Sequence, residues 1–137
     1  YAGAVQTEKM NFTRRYLIQT QQGIENESSV WGKFDRGEIV DYETPADKQL
    51  QAVRICRQKG KDIILINFQV HPDVINGNLM SADYPKFVRD TYEKLIENSR
   101  CMYINGAQGD TNHIDIRLGE DKCRTGYDRC RYAGRKI

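Results

Sequence analysis

Two apolar runs constrain the fold of this chain more than any other feature. The stretch "IILINFQV" (residues 63–70) is continuous in the manner of a central strand covered on both faces, and "CMYIN" (101–105) is a second, shorter one. Between them lies "SADYPKFVRDTYEKLIENS", in which Phe87, Val88, Tyr92, Leu95 and Ile96 form one apolar helical face. Ser81 or Asp83 is placed to cap that helix, and Pro85 is tolerated in its first turn. Strand, helix, strand and then the glycine turn of "GAQGDTNH" predict an α/β fold, a layered mixed sheet flanked by helices. A further helix begins in "TGYDRCRYAGRKI".

Upstream the pattern is less one-sided. "NFTRRYLIQT" alternates around Arg14 to Thr20 and predicts a strand. "QQGIENESSVWGKFDRGEIVDYETPAD" is long, polar and glycine-bearing, and reads as an excursion over the surface. In "KQLQAVRICRQKGKDIILINFQVHP", Val53 and Ile55 alternate with charged neighbours and "KGKD" offers a turn, which suits a hairpin. A helix over residues 47–57 stays open on residues alone, because Leu50, Val53 and Cys56 share a helical face.

Composition bounds the partners. The 137 residues suit one domain, and a net charge of +2 is too near neutral to argue for nucleic acid. No apolar stretch has the length of a membrane span, and no signal-peptide pattern is present. The cations Arg124, Arg129, Arg131, Arg135 and Lys136 outweigh Asp128 near the end, and read as a solvated helix face. The chain does not begin with Met and its last helical pattern breaks off, so residues 1–137 read as a single domain incomplete at both ends. Cys56, Cys101, Cys123 and Cys130 form no CxxC pair, which argues against a structural zinc site. Cys56 and Cys101 read as small buried hydrophobes, while Cys123 and Cys130 would be able to bridge in an oxidising compartment. Four reduced thiols, and a cytoplasmic rather than a secreted setting, are the favoured expectation.

The candidate chemistry gathers where the two apolar runs end. If both strands run parallel in one sheet, the loops after His71 and after Gly106 open at the same C-terminal edge, where open α/β sheets bind ligands. His71 suits a zinc ligand as a neutral imidazole; the plainer reading is a histidine hydrogen-bonded at a strand end. Gly109, Asp110, Thr111, Asn112 and His113 offer backbone N–H groups and polar side chains to an oxyanion, or simply make a turn. Asp83 is either the helix cap or a partner of His71, and Arg14 with Arg15 either lines a strand edge or holds an anion.

"NFQVHP", "SADYP" and "INGAQGDTNH", in this order, together resemble the N-terminal domain of the neutral/alkaline non-lysosomal ceramidases and their bacterial relatives. "NFTRRYL" is similar to that family's Asn-x-Arg-Arg-Tyr strand and "TPADKQLQAVRI" to its Asp-Pro-Glu-Val strand, so the resemblance runs through most of the chain and favours the hairpin over the helix. It implies a zinc-dependent amidase acting on a small-molecule or lipid amide such as a ceramide, with His71 as one metal ligand. The remaining ligands it implies are an upstream His and, much further along, a Glu and a Tyr, none of them within these residues. Gly109, Asp110 and Thr111 match the start of the family's Gly-Asp-Val-Ser-Pro-Asn motif, which implies a place in substrate binding. Asn112 stands where the motif has its catalytic serine and His113 where it has proline. An amide cannot attack as a hydroxyl does. Asn112 is therefore expected to donate to the developing oxyanion, and His113 to act as a base or a further ligand. The alternative is a binding domain that keeps the fold without the nucleophile.

Overall fold

The computed structural model describes residues 1–30, 33–118 and 125–137. In chain order the strands and helices are β1 (Ala2–Gln6), β2 (Phe12–Thr13), β3 (Arg15–Thr20), β4 (Gly23–Ser28), β5 (Glu38–Tyr42), β6 (Gln49–Ile55), β7 (Asp62–Phe68), α1 (Asp83–Leu95), β8 (Ser99–Asn105), β9 (Thr111–Asn112) and α2 (Tyr127–Lys136). A short 3₁₀ turn, Ile116–Leu118, follows β9. No helix among the described residues is long and apolar enough to cross a membrane.

The main sheet has the order β1-β6-β7-β8. β6 and β7 pair antiparallel, from Gln51 opposite Asn67 to Ile55 opposite Ile63. This is the hairpin. The helical face shared by Leu50, Val53 and Cys56 goes unused: Leu50 is buried, whereas Val53 and Cys56 are exposed. β7 and β8 run parallel, Asp62 opposite Ser99 through Phe68 opposite Asn105, and α1 makes the crossover between them. That is the strand–helix–strand unit expected from the two apolar runs.

Period-two alternation sends Ile64, Ile66 and Phe68 of β7 into the core, each worth about 1.5–3 kcal/mol of burial. Leu50, Cys101, Tyr84 and Val88 join them, with Cys130, Ala133 and Ile137 from the end of the chain. The two helices meet at a glycine. A Cβ on Gly134 would lie 2.6 Å from the carbonyl carbon of Phe87 and 2.7 Å from the Val88 nitrogen. Of the cations expected on a solvated face, Arg131, Arg135 and Lys136 are exposed, whereas Arg129 is half-buried and turned onto the His113 carbonyl; Arg124 lies outside the described residues.

Several expectations need correction. The polar segment after Thr20 holds β4 and β5, which pair on either side of β3 in a three-stranded antiparallel sheet. Backbone pairing to β3 stabilises strands whose own side chains are mostly solvated. Cys56 is exposed, because it follows β6 instead of sitting inside it. Cys101 and Cys130 are buried free thiols, and Cys123 lies outside the described residues. Leu95 is exposed at the last turn of α1, beyond the reach of the core that takes Val88.

Candidate functional site

The parallel pairing of β7 and β8 brings their C-terminal ends to one edge. Chain reversal after β8 is tight: Gly106 donates to the Phe68 carbonyl at 3.0 Å, and a Cβ on Gly106 would meet the Gln69 side chain at 3.0–3.1 Å. The following loop carries Thr111 and Asn112 into β9, which pairs with Phe12 and Thr13 of β2. The two segments singled out in the sequence thus touch. The backbone N–H of His71 donates to the Thr111 carbonyl at 3.2 Å, and His71 Nδ1 lies 3.0 Å from the same oxygen.

A carbonyl oxygen only accepts, so this contact requires the proton on Nδ1 and leaves the Nε2 lone pair of the neutral ring free to bind a metal. A histidine whose second nitrogen is held in this way has a fixed tautomer and ring plane, which is how zinc-binding histidines are oriented. His71 is half-buried. The arrangement fits one zinc ligand. Among the described residues, no group of three or more His, Cys, Asp or Glu side chains is placed to hold a metal ion.

The rest of "GDTNH" divides by environment. Thr111 is buried, and its Oγ1 donates to the Gln69 carbonyl at 3.1 Å. Asn112 is fully buried; its Nδ2 donates to the Val30 carbonyl at 2.9 Å and its Oδ1 accepts from Ile114 N–H at 3.0 Å. Both ends of that amide hold the loop to its neighbours. His113 is buried with Nδ1 3.3 Å from Asp73 Oδ1, and its carbonyl accepts from the Arg129 guanidinium at 3.3 Å. Gly109 is exposed and Asp110 half-buried. They line a cleft with Arg14, Arg15, Ser28, Ser29 and Val30. Arg14 donates to the Gly109 carbonyl at 2.7 Å, while Arg15 is forked onto Glu43.

Asp83 is engaged away from His71: its carboxylate accepts from Tyr84 N–H at 2.7 Å and from Ile75 N–H at 2.8 Å. It therefore ties the start of α1 to the loop after β7. The N-cap residue is Ala82, which makes no side-chain cap bond. The buried Tyr84 and the half-buried Tyr103 brace the strand ends. Tyr84 Oη lies 2.7 Å from both the Val70 carbonyl and Tyr103 Oη, and Tyr103 Oη lies 2.9 Å from the Phe68 carbonyl, so the two phenol protons are shared among three contacts. Burial pushes both phenols well above their usual range, so they stay neutral donors. Asp73 and the Thr111 carbonyl are the participants that the residue pattern did not single out. Asp73 follows His71-Pro72 by one position, a spacing that offered a signal; a backbone oxygen offers none.

No family model and no curated protein matches the chain. Its fold does match a solved structure, the neutral ceramidase from Pseudomonas aeruginosa. The TM-score is 0.64 at 15% identity, over 99% of this chain and 21% of that one. The chain has a ceramidase-like α/β fold. It spans about a fifth of the solved chain it matches.

Proposed function

We propose that these residues form part of a zinc-dependent hydrolase of amide bonds, ceramide-like or related, to which this segment contributes His71 as one metal ligand. The observation that carries the reading is the bond from His71 Nδ1 to the Thr111 carbonyl, which places the proton on Nδ1 and leaves Nε2 as the nitrogen with a lone pair to offer a metal. The fold it shares with a neutral ceramidase supports the same reading. When bound, zinc would lower the pKa of a water and polarise a carbonyl. This chain's own residues hold and orient. Thr111 fixes the His71 ring, and Gly109 and Asp110 offer an exposed rim to a small-molecule or lipid amide. His113 lies beside Asp73 within the same loop cluster, Nδ1 at 3.3 Å from Asp73 Oδ1.

The engagement of both ends of the Asn112 amide favours a second reading, a binding domain without chemistry of its own. Metal analysis of the full-length gene product, purified without chelator, separates the two. About one zinc per chain, lost in His71→Ala, is the expected result for a site closed by ligands outside this segment. A zinc-free wild-type protein would rule out the hydrolase.

A further inference from the structure

Among the described residues, the face of the main sheet opposite the helices is largely apolar and exposed. Strand register aligns it: Val53 lies opposite Leu65 and Leu65 opposite Met102, Ile55 opposite Ile63, and Asn67 opposite Ile104. In a β-sheet, directly opposed residues share a face, so these side chains form one band across β6, β7 and β8. Met102 is 56% exposed, Ile55 45%, Ile104 44% and Val53 39%, and Ile63 and Leu65 are half-buried only by their neighbours in the sheet. On the same face Gln51 and Asn67 lie level with Ile104, and Arg100 level with Ile63, so polar groups flank the apolar side chains. The chain as a whole is strongly polar, with a mean hydropathy of −0.73, so such a band does not arise from composition.

We propose that this face is an interior surface, covered by a second apolar layer that belongs to the same, longer polypeptide. Residues 63–66 of β7 are a continuous apolar run, the pattern of a strand covered on both faces, and helices cover only one face of the β7–β8 pair. A contiguous apolar patch with a polar rim marks a contact surface. The choice of occupant rests on the structural match: a chain about five times longer carries this fold as a fifth of its length, so in that protein the fold is built into a larger body. This inference is independent of the zinc reading.

Methionine oxidation tests it without any substitution. In the full-length gene product, dilute hydrogen peroxide followed by peptide mass spectrometry reports Met10, Met80 and Met102 separately. Met80 is 102% exposed in the loop before α1 and Met10 is 5% exposed, so they supply the fast and slow references. Met102 is expected to oxidise at least about tenfold more slowly than Met80, near the rate of Met10, and to do so at every protein concentration. An uncovered Met102 would stay within a few-fold of Met80, since half of it is accessible here, and that result overturns the proposal. Protection that disappears on dilution would assign the face to a second copy and overturns it as well, as would a gene product that adds no residues to these 137. Leu65→Lys gives a second reading in the same protein: a lowered Tm supports a covered face, and an unchanged one overturns it.

Discussion

The contact between α1 and α2 makes a prediction in which the sign alone decides. Replacing glycine by alanine in a helix interior normally gains about 0.8–1 kcal/mol, because alanine restricts the unfolded chain and shields the backbone. At Gly134 the added methyl would meet the Phe87 Cβ, and would lie 2.6 Å from the Phe87 carbonyl carbon and 2.7 Å from the Val88 nitrogen. Two of those three atoms are backbone of a neighbouring helix, so no rotamer change relieves the overlap and the helices must separate. Overpacking of this kind costs about 1–3 kcal/mol, and more when backbone has to move. The net expectation for Gly134→Ala is a loss of about 1–2 kcal/mol, or a Tm lowered by several degrees. Urea denaturation with an unchanged m-value is the assay. Gly3→Ala is the control, since a Cβ at Gly3 meets nothing within 4 Å, and it should be neutral or slightly stabilising. A Gly134→Ala protein as stable as wild type, or more so, would refute the close approach of the two helices.

Three further outcomes follow from particular side chains. Asn112→Ser restores a hydroxyl at the loop position, but it strands the Val30 carbonyl; it should lose about 1–2 kcal/mol in denaturant titrations and gain no ceramide hydrolysis. Cys56 should react with a thiol reagent at pH 8 in the native protein, whereas Cys101 and Cys130, pushed up by burial to about 11 and about 12, should label only on unfolding; rapid native labelling of Cys130 would contradict the packing of α2. Burial acts to raise the Asp115 carboxyl, but bonds from Arg117 and from Tyr42 outweigh it and hold the pKa below its ordinary 3.8. A depressed carboxylate stabilises the fold above that ordinary value and loses its contribution as pH falls through the lower, folded one. Asp115→Asn should therefore destabilise at pH 7, with the gap to wild type closing below pH 3.8, and a gap that persists in acid would show that charge is not the cause.

The legible parts of the fold were those where burial imposes a period. Ile64, Ile66 and Phe68 announce a core strand, Val88 and Tyr92 a helix packed on it, and the two runs with a helix between them fixed the parallel pair. β4 and β5 were not legible, because a strand on an outlying sheet is held by ladder bonds to β3 and its polar side chains carry no burial signal. Cys56 misled for the related reason that an apolar neighbourhood in sequence does not say where a strand ends. At the site, His71 and the "GDTNH" loop could be placed on one edge from topology. What joins them could not, since every residue has a carbonyl and only the tertiary fold decides that the one at Thr111 meets His71. The inward turn of Asn112 was hidden likewise, because an amide in a glycine-bearing loop reads equally as solvent-facing or as a strut.

The bond from His71 to Thr111 has a consequence for how such a site tolerates change. Its acceptor is a peptide oxygen, so no substitution at position 111 removes it; the threonine hydroxyl can be lost and the ring still has its partner. What the ring depends on is the register of β9 against β2, which a single inserted or deleted residue between Gly106 and Thr111 would shift. A side-chain exchange in the loop, serine for asparagine included, can cost stability through lost contacts such as that of Asn112 with Val30, yet leave the tautomer of the neighbouring histidine intact. The loop is bound instead to keep its length.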